Sequence, residues 1–181
     1  MVLSDFGVLS RYRDVESTRR NHTEIALHIV WTTWKRMPLL ADESLERCVW
    51  RTVQAEAEKC KCTVLAIGGM PDHVHLVLIQ PPTITLAKLL NQVKGVSSSV
   101  AREHLGSEQF FRWANGYAAF SLSRPHCKEV VAYVLRQKEH HADQNLWQDW
   151  EWTPPMYTPN TPSPMADSMA EGLPSGACDA R

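Results

Sequence analysis

Two histidines one residue apart stand in the segment Gly69-Met70-Pro71-Asp72-His73-Val74-His75-Leu76-Val77-Leu78. Gly and Pro punctuate its start, and β-branched and apolar residues follow without a break, the pattern of a turn feeding a strand. Side chains of a strand alternate between faces, so His73 and His75 share one face while Val74, Leu76 and Leu78 share the other. Imidazole is the commonest metal-ligating side chain, and two at this spacing on a rigid strand can share one divalent ion without distorting the backbone. The same spacing also suits a pair of half-buried histidines with ordinary hydrogen bonds, so a second set of groups must decide. That set lies late in the chain. Tyr133 and Gln137 are four residues apart and project from one side of a helix, and His140 comes within about 20° of Tyr133 when residues advance by about 100°. A hydroxyl, an amide and an imidazole thus line up; a surface helix carrying an amphipathic tyrosine has the same pattern.

Other residues could serve a polyanion. Trp34 beside Lys35 and Arg36 combines a stacking plate with charges, the mixture that single-stranded nucleic acid favours, although a Trp anchoring a loop to the core reads the same way. Lys88, Lys94 and Arg102 belong to one predicted helix. On that helix Gly95 with Ser97 to Ser99 makes a smooth face that a phosphodiester chain could approach, or simply a polar outer surface.

The elements that must position these groups follow from periodicity. Glu24 to Trp31 is a buried strand by composition, and Pro38 stops the regular structure after it. Residues 42–61 place Leu45, Cys48, Val49, Thr52 and Val53 at three and four spacing, with acids first and lysines last, as the helix dipole prefers. Residues 63–67 form a second strand, Gly68-Gly69 a bend, and the His-x-His segment a third strand reaching Ile79, ended by Gln80-Pro81-Pro82. A helix over 85–104, a strand over 117–123 and a helix over 126–143 complete the set. Strand, helix, strand, strand, helix, strand is the ferredoxin-like order. The expected fold is therefore α+β: an antiparallel sheet with helices on one face, plus an added C-terminal helix. Residues 1–22 read as an irregular arm, 23–150 as the folded domain, and 151–181 as a disordered tail holding six of the eleven prolines.

The chain of 181 residues is long enough for one well-buried core. Its formal net charge of -1 calls for neither nucleic acid nor membrane. Glu151, Asp167, Glu171 and Asp179 against Arg181 leave -3 on residues 151–181 and hence +2 on residues 1–150, which permits a nucleic-acid partner. Five cysteines, an odd number, and an N-terminus without a continuous apolar segment point to reduced thiols in a cytoplasm. Cys60-Lys61-Cys62 has no second pair at zinc-finger spacing and reads as small apolar packing. No run of eighteen apolar residues occurs, so no membrane-spanning helix is expected.

Three motifs together resemble a known family. Met70-Pro71-Asp72-His73-Val74-His75-Leu76, then Gly116-Tyr117-Ala118-Ala119-Phe120-Ser121, then Tyr133-x-x-x-Gln137 followed by Glu139-His140-His141 are similar to the insertion-sequence-200-like single-tyrosine transposases, including their REP-associated relatives. Leu27-His28-Ile29-Val30-Trp31 also resembles their first strand. Arg136 before Gln137 and Ala118-Ala119 after Tyr117 depart from the commonest family spelling without touching the chemistry.

The resemblance implies a strand transferase of the His-hydrophobic-His class that acts on single-stranded DNA hairpins at the ends of a mobile element or at palindromic repeats. It implies His73, His75 and Gln137 as ligands of Mg²⁺ or Mn²⁺, Tyr133 as the nucleophile, a 5′-phosphotyrosine with a free 3′-OH, and residence at the nucleoid when bound to DNA. Members commonly form dimers, sometimes with the tyrosine helix of one subunit completing the other's histidine pair, and Leu122 to Pro125 could permit either arrangement. Bases extruded from the hairpin would stack on aromatics such as Trp34 or Trp113. Two rivals share features: a rolling-circle-type nickase, which would usually need additional domains, and a domesticated hairpin-binding protein, which would keep the fold and lose a ligand or the nucleophile.

Overall fold

A computed structural model of the chain describes residues 23–107 and 109–143. The expected N-terminal arm and Pro-rich tail, with residues 144–150, lie outside the described residues. Four strands, β1 (Ile25–Thr32), β2 (Thr63–Met70), β3 (His73–Gln80) and β4 (Ala118–Leu122), form one sheet in the order β2-β3-β1-β4. Every pairing is antiparallel. The first two helices, α1 (Glu43–Lys59) and α2 (Leu86–Leu105), cross over between strands as the ferredoxin-like order requires. Two more, α3 (Arg124–Leu135) and α4 (Gln137–Ala142), follow β4.

Each crossover helix begins on a cap that the sequence supplies. Asp42 accepts the Leu45 backbone N–H at 2.8 Å, with Glu43 and Glu46 in the first turn of α1 and Lys59 in its last. Thr85 does the same for Lys88 at 3.3 Å at the start of α2. Leu45, Val49 and Val53 of α1 and Leu89, Leu90 and Val93 of α2 face the sheet and pack on Ile29, Trp31, Val74, Leu76 and Leu78. Each large apolar side chain so buried contributes about 1.5–3 kcal/mol. A second, smaller cluster occupies the other face of the sheet, where Cys127, Val130, Val131, Tyr133 and Val134 of α3 meet Ala26, Leu65, Ala66, Val77 and Ile79. The two crossover helices thus share one face, and the added helix covers the opposite one.

The structure corrects two expectations. Gly68-Gly69 is not a bend, because β2 runs through both glycines to Met70, with Gly68 opposite His75 and Gly69 opposite Val74. The irregularity sits instead near the start of the strand, where the pairing jumps between Val64 and Ala66. Nor is the last helix continuous over 126–143. It starts at Arg124, breaks at Arg136 (φ -110, ψ 22) and restarts as α4. Seven residues of a straight helix would advance about 10.5 Å. The rings of Tyr133 and His140 nevertheless stack with centroids 4.6 Å apart, so the break turns α4 back over the tyrosine.

Candidate active site

Strand β3 is buried along almost its whole length because helices cover both faces of the sheet. Its alternation sends Val74, Leu76 and Leu78 into the larger core and turns His73 and His75 toward the α3 side. Both imidazoles are enclosed, at 1% and 0% exposure, with ring centroids 5.0 Å apart and planes at 71°. Each has its own neighbour at Nδ1. For His73 this is Asp72, with Oδ1 at 2.6 Å; for His75 it is His28 of β1, with Nε2 at 2.9 Å. Burial pushes the Asp72 carboxyl up, but the hydrogen bond and charge of His73, with Arg36, outweigh it and hold the group at about 2. The other carboxylate oxygen of Asp72 accepts from Arg36 Nε at 2.9 Å.

The phenol arrives from α3. Tyr133 is 3% exposed, and its ring lies edge-on to His75 at 6.5 Å between centroids, within the same chain. This close approach depends on Gly68. A Cβ at that position would lie 2.3 Å from the Val134 carbonyl oxygen, so only a glycine lets α3 lie this near β2. The joint before α3 is short: β4 ends at Leu122, Ser123 is the cap residue, and Arg124 begins the helix and pairs with Glu24. Leu122 to Pro125, the stretch expected to permit either subunit arrangement, is mostly strand end and helix start. Gln137 is 2% exposed at the head of α4, flanked in sequence by Tyr133, which meets His75, and by His141, whose ring lies 5.4 Å from His73. Lys138 reaches Glu46 on α1 at 2.7 Å and ties α4 past the end of the sheet.

Tyr133, His73, His75 and Gln137 are thus all buried on one side of the sheet. The basic residues are more dispersed. Trp34, Lys35 and Arg36 form a short turn at the end of β1, where Lys35 (φ 54) and Arg36 (φ 53) hold left-handed backbone. The Arg112 guanidinium lies 4.4 Å from the centre of the Trp34 ring. Through Asp72 this turn borders His73. Lys94 is turned inward and donates to the Ala114 and Gly116 carbonyls at 2.8 and 3.0 Å, while burial pulls its ammonium down to about 8. Arg102 donates to Ser98 and Ser99 on its own helix. Lys88 is exposed on the first turn of α2. Trp113 belongs to the core, edge-on to Trp31 and Phe111, and donates its indole N–H to the buried Ser97, so the expected smooth serine face is partly interior. Asn91, Lys94, Gly95, Arg102, Arg112 and Tyr117 instead line an open groove of about 550 Å³ beside α2.

His28 is an addition to the residues expected at the site. Its signal is nonetheless in the sequence, as the one ionisable side chain inside the apolar run Ile-Ala-Leu-His-Ile-Val-Trp. Arg112, Tyr117 and Gly68 carry no such mark.

The donor chemistry suits a divalent ion. Two enclosed imidazoles each engaged at Nδ1 match the way ligating histidines are held, and the Gln137 amide offers a neutral oxygen. Among the described residues, no group of three or more His, Cys, Asp or Glu side chains is arranged to hold a metal ion. An ion here would be held by the two imidazoles and Gln137. A buried phenol lies beside this pair, and tyrosine is among the side chains able to form covalent intermediates.

Comparison with known proteins gives the family. Residues 21–137, more than half of the chain, match the family described as Transposase IS200 like, and the chain belongs to that family. It is 29% identical over 98 residues to the transposase for insertion sequence element IS200 of Salmonella typhimurium and to that of Salmonella typhi. That match covers 51% of this chain and 57% of each relative, so the chain spans little more than half their length. The fold is similar to a crystal structure described as a transposase from Deinococcus radiodurans, with TM-score 0.53 and 22% identity over 67% of this chain and 97% of that one. It is also similar to a REP-associated tyrosine transposase bound to a REP hairpin, with TM-score 0.50 and 11% identity over 79% of this chain and 94% of that one. No helix among the described residues is long and apolar enough to cross a membrane.

Proposed function

We propose that the chain cleaves and rejoins single-stranded DNA at hairpin element ends through a 5′-phosphotyrosine. The observation that carries this is the Tyr133 ring, buried edge-on to the same chain's His75, with the buried Gln137 just past the break at Arg136. The Tyr133 oxygen attacks the scissile phosphorus, a Tyr–O–P bond forms, and the P–O3′ bond breaks. The leaving oxygen takes up a proton as the 3′-OH, and the phenol proton is released. A second 3′-OH attacking the ester reverses the step, so joining needs no external energy source. His73, His75 and Gln137 would hold Mg²⁺ or Mn²⁺, which when bound would withdraw charge from the phosphate and orient it for in-line displacement. Asp72 and His28 steady the two imidazoles.

The DNA partner would be a hairpin with single-stranded flanks, reached across the Trp34 turn and the groove beside α2. Lys35, Arg36 and Lys88 are the surface charges suited to phosphate, and Trp34 offers a face for a base, although Arg112 already covers one side. In this reading Tyr133 serves the histidines of its own chain, whether or not two copies pair as a homodimer. With a hairpin oligonucleotide and Mn²⁺, the protein should form a covalent adduct that survives denaturing electrophoresis, and Tyr133→Phe should abolish it. An adduct that persists in Tyr133→Phe refutes the assignment. Tight hairpin binding with no adduct under Mg²⁺ or Mn²⁺ would make the chain a repeat-binding protein instead.

A further inference from the structure

The two candidate ligand imidazoles are not held alike. His73 leans on a carboxylate, whereas His75 leans on a second imidazole, His28, which is 0% exposed. His28 sits on β1 close to Val30, the direct partner of His75, so the contact is a diagonal across the two central strands. The two rings lie edge to edge and nearly coplanar, with centroids 5.1 Å apart and planes at 15°, and Phe120 of β4 packs at 6.0 Å from the His28 ring. On the same face of β1 its neighbours Ala26 and Val30 are apolar and buried. Packing alone would be satisfied there by a leucine, without the desolvation that an enclosed imidazole costs. His28 also approaches His75 at Nδ1, the nitrogen that a ligating histidine on this strand does not give to the ion when Nε2 is the donor.

We propose that His28 is the positioning residue of His75: its Nε2 accepts the Nδ1–H of His75 and fixes the tautomer in which Nε2 of His75 carries the lone pair. The ion-binding half of this inference rests on the proposed function of the site; the tautomer half does not. A neutral imidazole partner at His75 and a carboxylate at His73 give the pair one anionic support, so the two ligands differ in basicity. His28 acts through His75 and is not itself a ligand.

The test pairs His28→Gln, whose amide oxygen can accept the same hydrogen, with His28→Leu, which cannot. Mn²⁺ affinity of the metal-free protein is read by electron paramagnetic resonance of the free ion, and folding by thermal melting. His28→Leu should bind Mn²⁺ about 10- to 100-fold more weakly than wild type, and His28→Gln within about 3-fold. A folded His28→Leu with wild-type affinity, or a His28→Gln as weak as His28→Leu, overturns the proposal. Should neither variant fold, nitrogen-15 NMR of metal-free wild type decides. The expected result is a proton on Nδ1 of His75 and none on Nε2 of His28, and the reverse placement refutes it. A wild type that binds no Mn²⁺ defeats the ion assignment of the site, while the NMR measurement still decides the role of His28.

Discussion

The two faces of β3 do different work with alternate residues of one strand. Toward α1 and α2, Val74, Leu76 and Leu78 join an apolar cluster filled from both crossover helices. Toward α3, the same strand presents His73 and His75 among a smaller apolar cluster edged by Tyr133, Gln137, His140 and His141. Enclosure is equally complete on both sides, since Leu76 and His75 are each 0% exposed. What differs is the chemistry enclosed. A strand covered on both faces can therefore carry apolar packing on one parity and imidazoles on the other, and the four-stranded sheet becomes a rigid mount for them.

This contrast can be broken from either side. Leu76→Ala should cost about 2–5 kcal/mol in urea unfolding while leaving adduct formation per folded molecule close to wild type. Adduct lost only in proportion to unfolding would sustain the division, whereas a folded, inactive variant would end it. Gly68→Ala should do the reverse. Its added carbon would meet the Val134 carbonyl, displace α3 and the phenol, and slow adduct formation about 100-fold, for a loss of stability smaller than that of Leu76→Ala. Unchanged rates would show that the helix can yield without moving Tyr133.

Asp72 gives a smaller, pH-dependent effect. Its carboxyl ionises at about 2 in the folded chain against 3.8 ordinarily. The ionised form is thus favoured by folding, and the stabilisation is complete above 3.8 and is lost as pH falls toward about 2. After allowance for partial exposure it should amount to about 1–2 kcal/mol. Urea unfolding of metal-free wild type and Asp72→Asn between about pH 5 and about pH 2 should show the two converging as the pH drops; parallel curves would contradict this. Least of all, Lys88→Ala should change stability by no more than about 0.5 kcal/mol. A weaker affinity for the hairpin with a shallower salt dependence would place Lys88 on the DNA path, and an unaltered one would remove it.

Periodicity makes the order of elements legible, and alternation alone puts His73 and His75 on one side of their strand. Caps at Asp42 and Thr85 are equally readable. The break at Arg136 is not, because the helical pattern of residues 126–143 continues through it. Gly68-Gly69 misleads for a related reason: glycine pairs signal bends locally, whereas here the need is for close approach by a helix much later in the chain. The basic residues are misread in part because charge says nothing about direction. Lys94 has the pattern of a surface cation and turns inward to hold the loop at Ala114 and Gly116. Trp113, equally eligible for stacking on a base, spends its indole N–H on Ser97. His28 is visible as an oddity in an apolar strand, but its partner emerges only once β1 and β3 lie side by side.

The clearance at Gly68 has a consequence for how Tyr133 is held. Backbone rests against backbone there, so the spacing between phenol and imidazoles is gauged by main-chain atoms that no rotamer can alter. Drift in the surrounding apolar side chains would change how tightly the helix is clamped while leaving its stand-off the same. At Gly68 the two backbones leave no room even for one more carbon.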